Sequence, residues 1–206
     1  MGLSQLVEGE EGQEEGIKTG EHSTGDRTDL NMPGVQEALL QAVAAAAGAS
    51  KTGKPLVLVL LNGSAIAVNW AEENAAAIVE AWYPGEEGGT ALADVLFGDY
   101  NPAGRLPVTF YKSVEDLPPF RDYAMKRHGM VGHTYRYFDG EVLYPFGHGL
   151  SYTTFAYSDL TLSTDKIKAE ESLTVSVNVT NTGGRAGDEV VQLYVRDVEA
   201  SVPVPI

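Results

Sequence analysis

The densest run of chemically competent side chains is Glu8–Gly9–Glu10–Glu11, followed closely by Glu14 and Glu15. Carboxylates crowded this tightly repel one another, so some of them hold a proton near neutral pH and one can serve as a general acid. The same run also reads as a solvated acidic loop. A calcium loop is a third reading, although the alternating ligand spacing of an EF-hand is absent. On the residues alone the three readings stay open. Downstream, Gly25–Asp26–Arg27–Thr28–Asp29 mixes charges, and Asp26 or Asp29 can pair with Arg27 or cap the next helix, a structural use.

Other chemistry is thin. Pro84–Gly85–Glu86–Glu87–Gly88–Gly89–Thr90 precedes a helix as a phosphate cradle would, but it lacks a P-loop lysine, and its two glutamates would repel an anion. It reads instead as a tight turn where backbone passes close to a neighbour. His22, His128, His133 and His148 show no metal-ligand spacing, which argues against a zinc site; His148, between glycines, reads as structural. Ser64 lacks the nucleophile-elbow pattern. Asn62 and Asn178 each match the glycosylation triplet, a pattern common by chance. The absence of cysteine excludes disulfides, thiolate metal sites and cysteine nucleophiles.

Residues 1–34, rich in Gly, Glu and Asp, read as loop. A helix follows from Pro33, with Val35, Leu39, Leu40, Val43 and Ala47 on one face and Gly48 at its end. Leu56–Leu61 is an unbroken apolar run bounded by turn residues, which predicts a strand buried on both faces. A second helix is expected over Ala71–Trp82, a third over Gly88–Phe97, and a strand over Arg105–Phe110. This order predicts an α/β layer with a largely parallel sheet. Residues 113–154 form a connector with scattered aromatics, among them Tyr123, Tyr135, Phe138, Tyr144 and Phe146. Beyond Phe155 the period drops to two: Leu173, Val175, Val177 and Val179 alternate with polar residues, and Val191, Leu193 and Val195 repeat the alternation. Such strands suit an antiparallel sandwich, of which only about three of the usual seven would fit here.

The chain has 206 residues, 43% of them hydrophobic and 21% charged, as an ordinary globular protein has. Its net charge of −15 argues against nucleic acid and against an anionic membrane surface as partners, and leaves a neutral sugar unaffected. Leu56–Leu61, the longest apolar run, is too short to cross a bilayer. Met1–Gly16 is acidic and lacks the basic and apolar regions of a signal peptide.

Several segments together resemble glycoside hydrolase family 3. Tyr83–Gly89, running on to Val95–Pro107, is similar to the closing part of that family's α/β sandwich domain. Tyr135–Gly140 and Leu143–Tyr152 resemble its strap into a fibronectin-type-III-like domain. Asn181–Thr182–Gly183 and Val191–Val195 resemble strands of that domain. The resemblance implies three parts: residues 1–112 as the C-terminal part of the α/β sandwich, 113–154 as the strap, and 155–206 as an incomplete fibronectin-III-like domain. It implies retaining, exo-acting hydrolysis of β-linked glycosides, with glucoside and xyloside both open, and no metal or other cofactor. That reaction needs two carboxyl groups about 5–5.5 Å apart, one a nucleophile and one an acid/base. In the family the nucleophile is an Asp on an N-terminal (β/α)8 barrel, which this chain lacks, so the chain alone is expected to be inactive. Gly2–Leu3–Ser4, Glu8–Glu11 and Gly25–Asp26–Arg27 match the loop that bears the acid/base, and Glu10 falls on its position. Glu8 and Glu11 lie one slip away. The family favours a periplasmic or extracellular location. The rival expectation is a non-catalytic carbohydrate-binding or scaffolding module, with the connector aromatics either stacking on sugar or packing between domains.

Overall fold

The computed structural model describes residues 1–3, 27, 29–48, 54–119, 122 and 132–200. They form two compact units. One comprises Met1–Leu92, Leu106–His148 and Tyr194–Ile206; the other comprises Ala93–Arg105 and Gly149–Leu193.

In the first unit, helix α1 spans Gln36–Ala47 and ends at Gly48, whose left-handed backbone returns its N–H to the carbonyls of Ala44 and Ala45. Strand β1, Val57–Leu60, runs parallel to β2, Ala77–Glu80, with Leu58 opposite Ile78 and Leu60 opposite Glu80. Between them lies the short helix α2, Asn69–Asn74. The expected helix over Ala71–Trp82 is therefore corrected. The alanines favour a helix, but Ile78 and Val79 are β-branched, and pairing with β1 satisfies their backbone in place of helical bonds.

Leu40, Leu56, Leu58 and Leu60 pack with Leu3, Met32, Ile66, Val68 and Ala71 into one core. Only one face of β1 is buried, since Val57 is 38% exposed, where the apolar run predicted two buried faces. On α1 likewise Leu40 is buried while Leu39 and Val43 are exposed.

Helix α3, Gly88–Phe97, forms where the sequence places it. The expected strand over Arg105–Phe110 shrinks to β3, Phe110–Tyr111, which pairs antiparallel with β4, Val142–Tyr144. Pro107 has no N–H to give to a ladder, and the pairing upstream is confined to Leu106, whose N–H donates to His148 O and whose carbonyl accepts from Gly147 N. The connector carries a 3₁₀ turn, Val114–Asp116, closed by Ser113 in a capping box, and the single-turn helix α4, Thr134–Tyr137. Its aromatics pack on one another and on β3: Tyr135 stacks on Phe146 at 4.1 Å and Tyr111 meets Phe138 edge-on at 5.0 Å. The Thr109 hydroxyl, just before β3, is buried with no hydrogen-bond partner. Thr109→Val keeps the shape and removes that uncompensated group, so it should stabilise the unit by about 1–3 kcal/mol in chemical denaturation.

In the second unit, β5, Phe155–Leu162, pairs antiparallel with β6, Val175–Asn181, with an irregularity between Ser158 and Thr161. Asn101 ties this hairpin to the segment before it: its Oδ1 accepts from Ser151 Oγ and Tyr152 N, and its Nδ2 donates to Ala186 O. Arg105 and Glu189 pair at 2.9 Å, and Tyr157 donates its hydroxyl to the same carboxylate. Val191–Leu193 carry no strand pairing, which corrects the expectation of a further strand there; the alternation persists in the sequence, but it joins no ladder among the described residues.

Candidate active site

Glu10, with Glu8, Glu11, Glu14, Glu15 and Asp26, lies outside the described residues. The structure does describe where the segment bearing these carboxyls is attached. On its N-terminal side, Leu3 N donates to Leu61 O and Leu61 N to Met1 O, so residues 1–3 run parallel to the chain leaving β1. Gly2 sits at φ 145, and a Cβ there would collide with the Leu61 carbonyl, so only glycine allows this approach. The Gln36 side chain clamps both backbone groups of Gly2, accepting from its N–H at 2.6 Å and donating to its carbonyl at 2.8 Å.

On the C-terminal side, Arg27 donates to Asn31 O and to Ala65 O, and Ala67 N donates to Leu30 O. Asp29 accepts from Asn31 N, a local turn rather than a cap on α1, whose N-cap position is Val35 without a side-chain cap bond. Both ends of the acidic segment are thus fixed to Leu61–Ala67, the chain leaving the carboxyl end of a parallel strand. Ligands bind at that end of open α/β sheets.

Three residues at the same end had no site role in the sequence reading. Asn62 lies two residues beyond the end of β1 and is 0% exposed. Its Nδ2 donates to Ser64 O at 2.9 Å and to Glu80 Oε2 at 3.0 Å, while its Oδ1 has no partner. Glu80 Oε1 accepts from Trp82 N at 2.9 Å. Trp82 holds φ at 53°, a left-handed backbone that bulky residues rarely adopt. The glycosylation reading of Asn62 fails, because its amide is buried and already donated; Asn178 is exposed, and its Nδ2 donates to Asp159.

Burial raises the Glu80 carboxyl above its ordinary range, and the N–H of Trp82 and the Asn62 amide oppose that rise in part. The folded state therefore holds this proton more tightly than the unfolded chain. Stability contributed through Glu80 is greatest below the ordinary carboxylate value and falls as pH rises through the raised one. Glu80→Gln should abolish that downward slope, read as the difference in unfolding free energy between the two proteins from acid to neutral pH.

The aromatic side chains nearby are structural in their contacts. Trp82 meets Phe110 edge-on, Phe110 meets Tyr144, and Tyr144 stacks on His148 at 4.9 Å. Tyr144 donates its hydroxyl to Glu72, and burial followed by that carboxylate pushes its own pKa up. A cavity of about 230 Å³ opens among Tyr135, Phe138, Phe146 and Tyr194. Among the described residues no cluster of His, Asp and Glu could hold a metal ion, and no helix is long and apolar enough to cross a membrane.

The family model for the glycosyl hydrolase family 3 C-terminal domain matches residues 1–152. A xylan 1,4-β-xylosidase of Xylanibacter ruminicola is 47% identical over 192 residues, covering 92% of this chain and 20% of that protein. A periplasmic β-glucosidase of Salmonella typhimurium is 46% identical, covering 90% of this chain and 24% of its own length. Among solved structures, a β-glucosidase from Erythrobacter marinus superposes with a TM-score of 0.72 at 43% identity, covering 88% of this chain and 23% of its own. The chain spans about a fifth to a quarter of the length of these relatives.

Proposed function

The chain belongs to glycoside hydrolase family 3, and on that footing we propose that it supplies the general acid/base carboxyl, Glu10, of a retaining exo-β-glycosidase acting on β-glucosides or β-xylosides. The observation that carries this reading is the anchoring of both ends of the Glu10-bearing segment at the carboxyl end of β1. A loop held there presents its side chains where α/β sheets bind ligands. In the first step Glu10 gives its proton to the leaving glycosidic oxygen while a second carboxylate attacks the anomeric carbon. In the next step Glu10 takes a proton from water, which displaces that carboxylate and restores the enzyme. One carboxylate cannot play both parts, so the nucleophile belongs to polypeptide outside these residues, in the family's (β/α)8 barrel.

The proposed organisation follows the family: residues 1–112 complete an α/β sandwich, 113–154 form a strap, and 155–206 begin a fibronectin-III-like sandwich with the β5–β6 hairpin. The substrate is a neutral glycoside, which the net charge of −15 does not repel.

The test compares this chain with the complete reading frame that carries it, using nitrophenyl β-glucoside and β-xyloside. Hydrolysis by the longer protein and none by this chain is the expected result. Turnover by the chain alone that Glu10→Gln abolishes would refute the need for an outside nucleophile. Oligosaccharide binding without hydrolysis in the longer protein would favour a carbohydrate-binding module.

A further inference from the structure

We infer that the cavity beside β3 and β4 is a binding site for a neutral phenolic ring, with the Thr109 hydroxyl as its hydrogen-bond partner. Every described residue that lines it belongs to the first unit.

The walls come from the connector and from β4. Tyr135 stacks on Phe146 at 4.1 Å, and Phe138 meets Tyr111 edge-on at 5.0 Å. Gly140 leaves room for the Phe138 ring, since a Cβ there would lie 2.6 Å from it. These contacts fix the walls before a ligand arrives, so binding carries little ordering cost. At about 230 Å³ the space exceeds the roughly 150 Å³ at which an apolar cavity takes up benzene.

The lining is aromatic and aliphatic, and among the described residues no charged side chain contributes to it. An ion entering would lose its hydration without gaining a partner. One polar group is out of place. Thr109 is 7% exposed, and its hydroxyl oxygen, screened from solvent in the observed rotamer, has no hydrogen-bond partner. Buried polar groups are almost always bonded, and a native exception calls for a reason. A turn about χ1 to another staggered well exchanges this oxygen with the Thr109 methyl group, so the hydroxyl can meet a ligand on the cavity side.

That single unmatched hydroxyl decides between ring types. A phenol has one hydroxyl to satisfy, and the rest of it is aromatic surface that packs well on aromatic neighbours. A pyranose carries several hydroxyls. Thr109 can satisfy one of them, which leaves others buried without partners. Under the proposed function the ligand arises as a product, since hydrolysis of an aryl β-glycoside releases such a ring; the binding itself does not depend on that reading.

The test takes the 206-residue chain with phenol, toluene and glucose as probes, followed by amide chemical shifts. Phenol should bind saturably and shift the amides of Thr109, Gly140 and Val142, while those of Tyr157 and Val177 in the β5–β6 hairpin stay in place. Glucose should not bind over the concentrations that saturate with phenol. Thr109→Val, expected to be the more stable protein, should weaken phenol binding about three- to tenfold, the worth of one neutral hydrogen bond, and leave toluene unchanged. An equal effect of Thr109→Val on phenol and toluene overturns the inference. So does glucose binding as tightly as phenol, an absence of phenol binding, or shifts spread equally over the hairpin. The complete protein is the second arm. Phenol should bind there too, with the same loss on Thr109→Val, and failure to bind, the result if other polypeptide fills the cavity, also overturns the inference. Phenol affinity is read without turnover, so failure of the acid/base assignment and failure of this site are told apart.

Discussion

If Glu10 is the acid/base as proposed, Glu10→Gln is expected to lower kcat/KM of the complete protein by about 100- to 10,000-fold on alkyl β-glycosides, the range general acid catalysis supplies. That is roughly 3–5 kcal/mol of transition-state stabilisation. Gln has the shape of Glu and can still donate a hydrogen bond, but it has no proton to transfer. The loss therefore isolates proton transfer from packing. The pH profile carries the sign: the acid must be protonated to act, so the wild-type rate falls as pH rises through its pKa, and the Gln variant, already lacking that proton, should lose this limb and stay low across it. Glu8→Gln and Glu11→Gln serve as internal controls, since the acidic run allows a slip of one or two residues in the match. A larger loss at either of these than at Glu10 moves the assignment to that neighbour and sinks it for Glu10.

What the sequence made legible depended on how local the determining physics is. α1 and α3 were readable because Pro33 and Gly48 flank α1 and Pro84–Gly85 precedes α3, residues of restricted or special backbone. β2 was hidden because the run into it, Ala75–Ala77, continues the alanine pattern of a helix, and the partner that makes it a strand, β1, lies 20 positions back. The Asn62–Glu80 bond spans 18 residues and leaves no periodic signal. Reading Glu80 within a helix also placed it on the wrong element to meet Asn62. The attachment to Leu61–Ala67 was similarly invisible, because Gly2 and Arg27 reach Leu61 and Ala65 across long stretches of chain. Glu10 itself stood out only as one acid among several until the resemblance singled it out. In unit two the period-two pattern found β6, yet the same pattern at Val191–Leu193 formed no ladder, because alternation specifies a face and not a neighbour.

Phe110→Ala is the structural change expected to cost most, about 3–5 kcal/mol, because it removes a whole aromatic ring from a closed site. Phe110 is 1% exposed at the start of β3, with Trp82 edge-on at 6.3 Å on one side and Tyr144 at 6.2 Å on the other. Neither neighbour can collapse freely into the space. Trp82 is tethered through its N–H to Glu80, and Tyr144 through its hydroxyl to Glu72 and by its pairing opposite Phe110 in β4. A cavity whose walls cannot move keeps its full penalty, so the upper part of the range applies. The loss also reaches the site, since Trp82 closes the chain leaving β2 beside Glu80. Phe97→Ala is the matched comparison: the same side chain, 85% exposed at the end of α3, should change stability by less than about 0.5 kcal/mol. Urea unfolding followed by tryptophan fluorescence would read both, and near-equal midpoints for the two variants would mean that the ring of Phe110 does not bear the packing between Trp82 and Tyr144.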